Sequence, residues 1–151
     1  MNLEWGNKMS NRVAPGTIRS RTIGPSVTAL LAGFVVNVVL SLGTDFGLHA
    51  AGILPAAGQG PMNDSQSALA AAYRTLYAVI SSWVVARLAP DRPLEHALLG
   101  AGIGMALATA GAIATWNQAL GPHWYPLSLI VLAMPSGWVG AKTWMTHARK
   151  R

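Results

Sequence analysis

Four runs of this chain, at about 25–42, 67–88, 93–116 and 126–144, are each close to the length a helix needs to cross a bilayer. The runs are continuously apolar rather than alternating, so they read as helices and not as strands of a membrane barrel. Only 11% of the residues are charged and 52% are hydrophobic. A soluble domain carries about 25% charged residues. That balance excludes a disordered tail and argues against an ordinary soluble fold. The length, 151 residues, is that of one domain. The expected class is all-α, an integral membrane four-helix transmembrane bundle.

The cations set an orientation. Lys8, Arg12, Arg19 and Arg21 precede the first run, and Arg87 and Arg92 flank the second connection. Lys142, Arg149, Lys150 and Arg151 close the last run, and the other two connections contain no Lys or Arg. Of the 11 cations only Arg74 is left over. By the positive-inside rule both termini are then cytoplasmic. The same distribution accounts for the net charge of +6 without a nucleic-acid partner. Residues 1–24 read as a basic cytoplasmic N-terminal tail, 25–144 as the spanning unit and 145–151 as a basic C-terminal tail. The N-terminal basic and apolar regions are both longer than those of a signal peptide, so no cleavage is expected. Trp116, Trp124 and Tyr125 are expected at the outer interface, and Trp83, Trp138 and Trp144 at the inner one.

The run ends are punctuated. Pro90 stops the second helix, Pro93 sits at the first helical position of the third, and Glu95 suits that helix's positive end. Asn63, Asp64 and Ser65 are candidate caps for the second. Gly43 and Gly47 are expected to weaken the first helix near its end. Positions 43–66 then form a long outer connection, a candidate lid or interfacial helix. Gly100, Gly104 and Ala108 in the third run, with Gly137 in the fourth, are small residues at four-residue spacing, which lets helices approach closely. Both internal packing and a homodimer seam fit that pattern. Pro135 lies mid-run and is expected to kink its helix.

Few polar residues lie within the runs. Asn37, Ser41, Asp45 and His49 form a line at four-residue spacing on the first helix. Arg74, Tyr77 and Ser81 share a face of the second. Arg74 is roughly 10 Å inside its run, where an arginine costs about 2.5–3.5 kcal/mol and calls for a partner. Asp45 is at the matching depth, so an Asp45–Arg74 ion pair between the two helices is expected. It would either fix helix register or line a site for an anion, a proton or a small polar ligand. Asn37 is expected to hydrogen-bond a neighbouring helix.

With Cys at 0, thiolate metal sites, disulfides and cysteine lipidation are excluded. No metal-ligand motif, P-loop or nucleophile elbow is present. No metal site and no cofactor are therefore expected. A membrane enzyme would have to use Asp45, His49 and His123 as an acid–base cluster, without an identified nucleophile. The leading expectation is a structural or accessory subunit of a membrane assembly. The alternative is a small oligomeric transporter or permease using an Asp45/Arg74 site at the outer side. Expected partners are the lipid bilayer and either a second copy or a membrane complex. The topology resembles that of many small four-span bacterial inner-membrane proteins, a likeness that carries no functional residue across. The expected location is the inner (cytoplasmic) membrane.

Overall fold

The computed structural model describes residues 20–55, 59–118 and 120–150. Most of the expected N-terminal tail therefore lies outside the described residues. The chain forms four helices: α1 (Ser20–Ala50), α2 (Asp64–Leu88), α3 (Pro93–Thr115) and α4 (Trp124–Ala148). Three segments, Ile23–Ala50, Asp64–Leu88 and Pro93–Thr115, are long and apolar enough to cross a membrane. The fourth expected span differs. At 25 residues α4 has the length, but it is not among the segments that are both long and apolar enough to cross.

The helices alternate in direction, giving the molecule two ends. The loop end carries the α1–α2 and α3–α4 connections. The tail end carries the start of α1, the α2–α3 turn and the end of α4. α2 touches all three other helices and α4 lies against α2 and α3. α1 rests mainly on α2, meets α3 only slightly, and has no contact with α4 among the described residues.

α1 is longer at both ends than the first run. It begins before Pro25 and continues through Gly43 and Gly47 to Ala50. Each glycine costs about 1 kcal/mol of helix propensity, but side-chain contacts of Thr44 and Asp45 with α2 hold this stretch helical. The helix ends at Gly52, whose φ of +70° lets Ile53 N–H donate back to the Leu48 carbonyl at 2.9 Å. The outer connection is thus 51–63, not 43–66. Its far end is the α2 cap. Asn63 Oδ1 accepts from Gln66 N–H at 2.9 Å, and Gln66 Oε1 accepts from Asn63 N–H at 3.0 Å. Gln66 also donates to the Ile53 carbonyl at 2.8 Å, and Met62 N–H donates to the Leu120 carbonyl at 3.0 Å. These bonds tie the connection to α2 and to the α3–α4 loop.

The packing is inverted relative to a soluble protein. Among the described residues the largest fully buried side chain is that of Ser67. Large apolar side chains such as Phe34, Val39, Phe46, Leu107, Ile113 and Val131 face outward. At the tail end Ala86, Ala97 and Ala141 bring α2, α3 and α4 together under Leu94 and Trp144. Dispersion between closely approaching backbones takes the place of a hydrophobic core. Gly33 lies against Ser81 and Val85 of α2, Gly137 against Ala97 and Ala101 of α3, and Gly140 against Val79, Ser82 and Trp83 of α2. The small residues of α3 face different surroundings. Gly100 approaches Leu30, but a Cβ at Gly104 would meet no atom within 4 Å. α4 continues as a helix through Pro135, which sits on its exposed side.

Candidate functional site

The loop-end half of the α1–α2 contact holds a partly buried ion pair. Arg74 is ten residues past the start of α2 at Asp64, roughly 15 Å along the helix axis. That is deeper than the sequence boundary implied, because capping by Asn63 starts the helix earlier. Arginine side chains lean toward the helix N-terminus, here the loop end. Arg74 Nη2 donates to Asp45 Oδ2 at 2.6 Å, and the two side chains are 37% and 20% exposed. Tyr73 donates its hydroxyl to the other carboxylate oxygen, Asp45 Oδ1. Both acceptor atoms of Asp45 are therefore engaged by α2. A neighbouring bond of 2.7 Å joins Thr44 Oγ1 and the Tyr77 hydroxyl. Consecutive residues on α1 thus meet three α2 side chains within one helical turn.

Arg74 is less completely engaged. A guanidinium carries five N–H donors. Nη2 reaches Asp45, while Nε is buried and has no hydrogen-bond partner among the described residues. The guanidinium carbon lies 6.0 Å from the centre of the Tyr125 ring, at the start of α4. Arg74 also lines three clefts. One of about 230 Å³ lies between the ends of α3 and α4, beside Trp116, His123 and Tyr125. A second, of about 380 Å³, lies under the outer connection beside Asp45, His49, Tyr73 and Leu54. The third, of about 310 Å³, opens between α1 and α3 and includes Asn37, Ser41, Asp45 and Ala108.

The remaining expected site residues separate from this cluster to different degrees. His49 lines the second cleft, but its Nδ1 lies 2.6 Å from the Asp45 backbone carbonyl, and the ring caps the end of α1. Tyr77 bonds Thr44 rather than Arg74. Ser81 donates to the Gly33 carbonyl at 2.7 Å, nearer the tail end. Asn37 lines the α1–α3 cleft, and its Oδ1 is buried without a partner among the described residues. An interhelical bond through that oxygen is therefore not formed among the described residues. His123 stacks on Trp116 with ring centres 4.4 Å apart and is 3.1 Å from the Trp116 carbonyl through Nε2. Among the described residues no three His, Asp or Glu side chains group closely enough to hold a metal ion. That includes the Asp45, His49 and His123 set.

Tyr73 and Tyr125 are the residues that spacing alone did not bring to the site. Tyr73 is one residue from Arg74, about 100° around the helix, so a face-by-face reading separates them. Its reach comes from the length of the phenol and from the Tyr73–Tyr77 pair, whose rings are 5.7 Å apart and face Thr44 and Asp45. The polar pair Thr44–Asp45 matched against the pair Tyr73–Tyr77 is the signal that was available.

At the tail end Arg87 lies over the rings of Trp83 and Trp144, at 5.4 and 5.7 Å, and those rings meet edge-to-face at 5.6 Å. Lys142 lies 5.6 Å from the Trp138 ring. Arg92 and Glu95 pair at 3.2 Å on the exposed surface, and His96 Nε2 is 2.9 Å from Ser26 Oγ. Comparison with protein-family models, with curated proteins and with solved structures finds no match.

Proposed function

We propose that this chain is a four-span protein of a bacterial cytoplasmic membrane, with both termini in the cytoplasm, acting as a structural or accessory subunit of a membrane assembly. The observation that carries this reading is the saturation of Asp45. Its two oxygens are taken by Tyr73 and Arg74, so the one acidic side chain deep in α1 acts as a clasp between helices. Membership of the spanning set is extended to α4 by its neighbours. At the loop end Trp124 Nε1 donates to Asp64 at 2.8 Å, and at the tail end Trp144 meets Trp83. α4 thus meets α2 near both of its ends, which supports counting it as a fourth span.

The test is native mass spectrometry of the protein extracted gently into lipid nanodiscs. A heteromeric complex of fixed stoichiometry is expected. A clean homo-oligomer would overturn the accessory-subunit reading. It would favour the second reading, a small oligomeric transporter, which draws support from the three clefts that meet at Arg74.

A further inference from the structure

α1 and α3 run parallel but separate as they leave the tail end. They are joined there by His96 and Ser26, and Leu30 reaches Gly100. Beyond Gly100 the gap widens into a chamber of about 250 Å³ lined by Leu30, Phe34, Val85, Ile103 and Leu107, with Ser81 at its floor. Asn37 and Gly104 belong both to this chamber and to the next one, of about 310 Å³, which ends at Asp45 and Arg74. The two chambers form one lateral track. Together they fall within the range of ligand pockets, about 300–1,000 Å³.

The chemistry along the track is graded. The end near Leu30 is apolar. Asn37 Oδ1, buried and unpartnered among the described residues, marks the junction. The far end carries Arg74, partly exposed there and bonded through Nη2 to Asp45. From Leu30 to Asp45 the track follows α1 for about 22 Å at 1.5 Å per residue. One leaflet of hydrocarbon is roughly 15 Å deep, half the thickness of the core. A track longer than a leaflet, with the arginine Arg74 at one end and an apolar stretch at the other, is complementary to an anion carrying a long alkyl chain. We infer that the α1–α3 track is a binding site for an anionic amphiphile, with the acid group against Arg74 and the alkyl chain along Gly104 toward Leu30. The shared chemistry, an acid head and a long chain, is met by an acidic phospholipid or by a free fatty acid. Such a site is compatible with a subunit of an assembly and with a transporter alike.

Gly104 provides a clean test. A side chain placed there enters the track without meeting another atom of the protein within 4 Å of its Cβ. Full-length protein is assembled in nanodiscs of phosphatidylcholine containing a minority of phosphatidylglycerol or, separately, of oleate. The lipids retained after gentle ejection are identified by native mass spectrometry. Wild type is expected to retain one anionic amphiphile, enriched about tenfold over phosphatidylcholine, the ratio expected for one charge-assisted contact. Enrichment of phosphatidylglycerol alone assigns the site to a phospholipid, and of oleate alone to a free acid. Gly104→Leu is expected to abolish the enrichment while helical content and melting behaviour are kept. Arg74→Gln is expected to lower it to the phosphatidylcholine level. Equal retention of neutral and anionic lipid by wild type would overturn the inference. So would enrichment that survives Gly104→Leu.

Discussion

Asp45 has a fifth of its side chain exposed, and its two oxygens are engaged by Tyr73 and Arg74. Removing one member of a fully buried pair costs about 3–5 kcal/mol, whereas a fully exposed pair contributes about 0–1 kcal/mol. The Asp45–Arg74 pair lies between these limits. A double-mutant cycle on Asp45→Ala and Arg74→Ala, read by unfolding in mixed micelles, is expected to give a coupling of about 1–3 kcal/mol. Additive losses would remove the clasp from the account. Tyr73→Phe leaves Asp45 Oδ1 without its α2 donor and is expected to cost about 1–3 kcal/mol. Asp45 and Arg74 were legible as a pair because Arg74 is a cation inside an apolar run and Asp45, just past the end of the neighbouring run, lies at the matching depth. Tyr73 was not, because a phenol within a run reads as an amphipathic filler until its hydroxyl is seen to reach a carboxylate.

Among the elements, the glycines divide by what faces them, and four-residue spacing does not tell which kind each one is. Gly140 lies where a Cβ would come within 2.8 Å of Ser82 Cβ and of the Trp83 amide nitrogen. Even Gly140→Ala must push α4 away from α2, and overpacking of this kind costs about 1–3 kcal/mol. Gly104 faces open space, so Gly104→Ala is expected to be neutral or to stabilise by up to about 1 kcal/mol through helix propensity. Equal destabilisation by the two changes, measured by the same unfolding assay, would mean that Gly104 is packed against something in the membrane. The extent of α1 was illegible for a related reason. Gly43 and Gly47 carry a local preference against helix, and what overrides it is contact with α2 through Thr44 and Asp45, residues distant in sequence. The caps were legible because they are local: Asn63 with Gln66, and Pro93 at the first turn of α3, use only neighbours in the chain.

At the scale of the whole molecule the account joins two asymmetries. Large side chains lie outside and small ones inside, which suits helices surrounded by lipid. Cations gather at the tail end, where Arg87 and Lys142 also lie over tryptophan rings, an arrangement suited to a headgroup layer. The number of crossings is the point at which sequence and structure differ most, since α4 is not among the three segments long and apolar enough to cross, yet it touches α2 near both ends. A chain with Cys at 0 allows that point to be tested without background. Single cysteines introduced as Ser65→Cys, Asp91→Cys, Asn117→Cys and Lys150→Cys are exposed to a membrane-impermeant maleimide in intact cells. The account predicts labelling of positions 65 and 117 from outside, and of 91 and 150 only after permeabilisation. Labelling of position 150 from outside would show that α4 does not cross, and would contradict the four-span molecule with cytoplasmic termini.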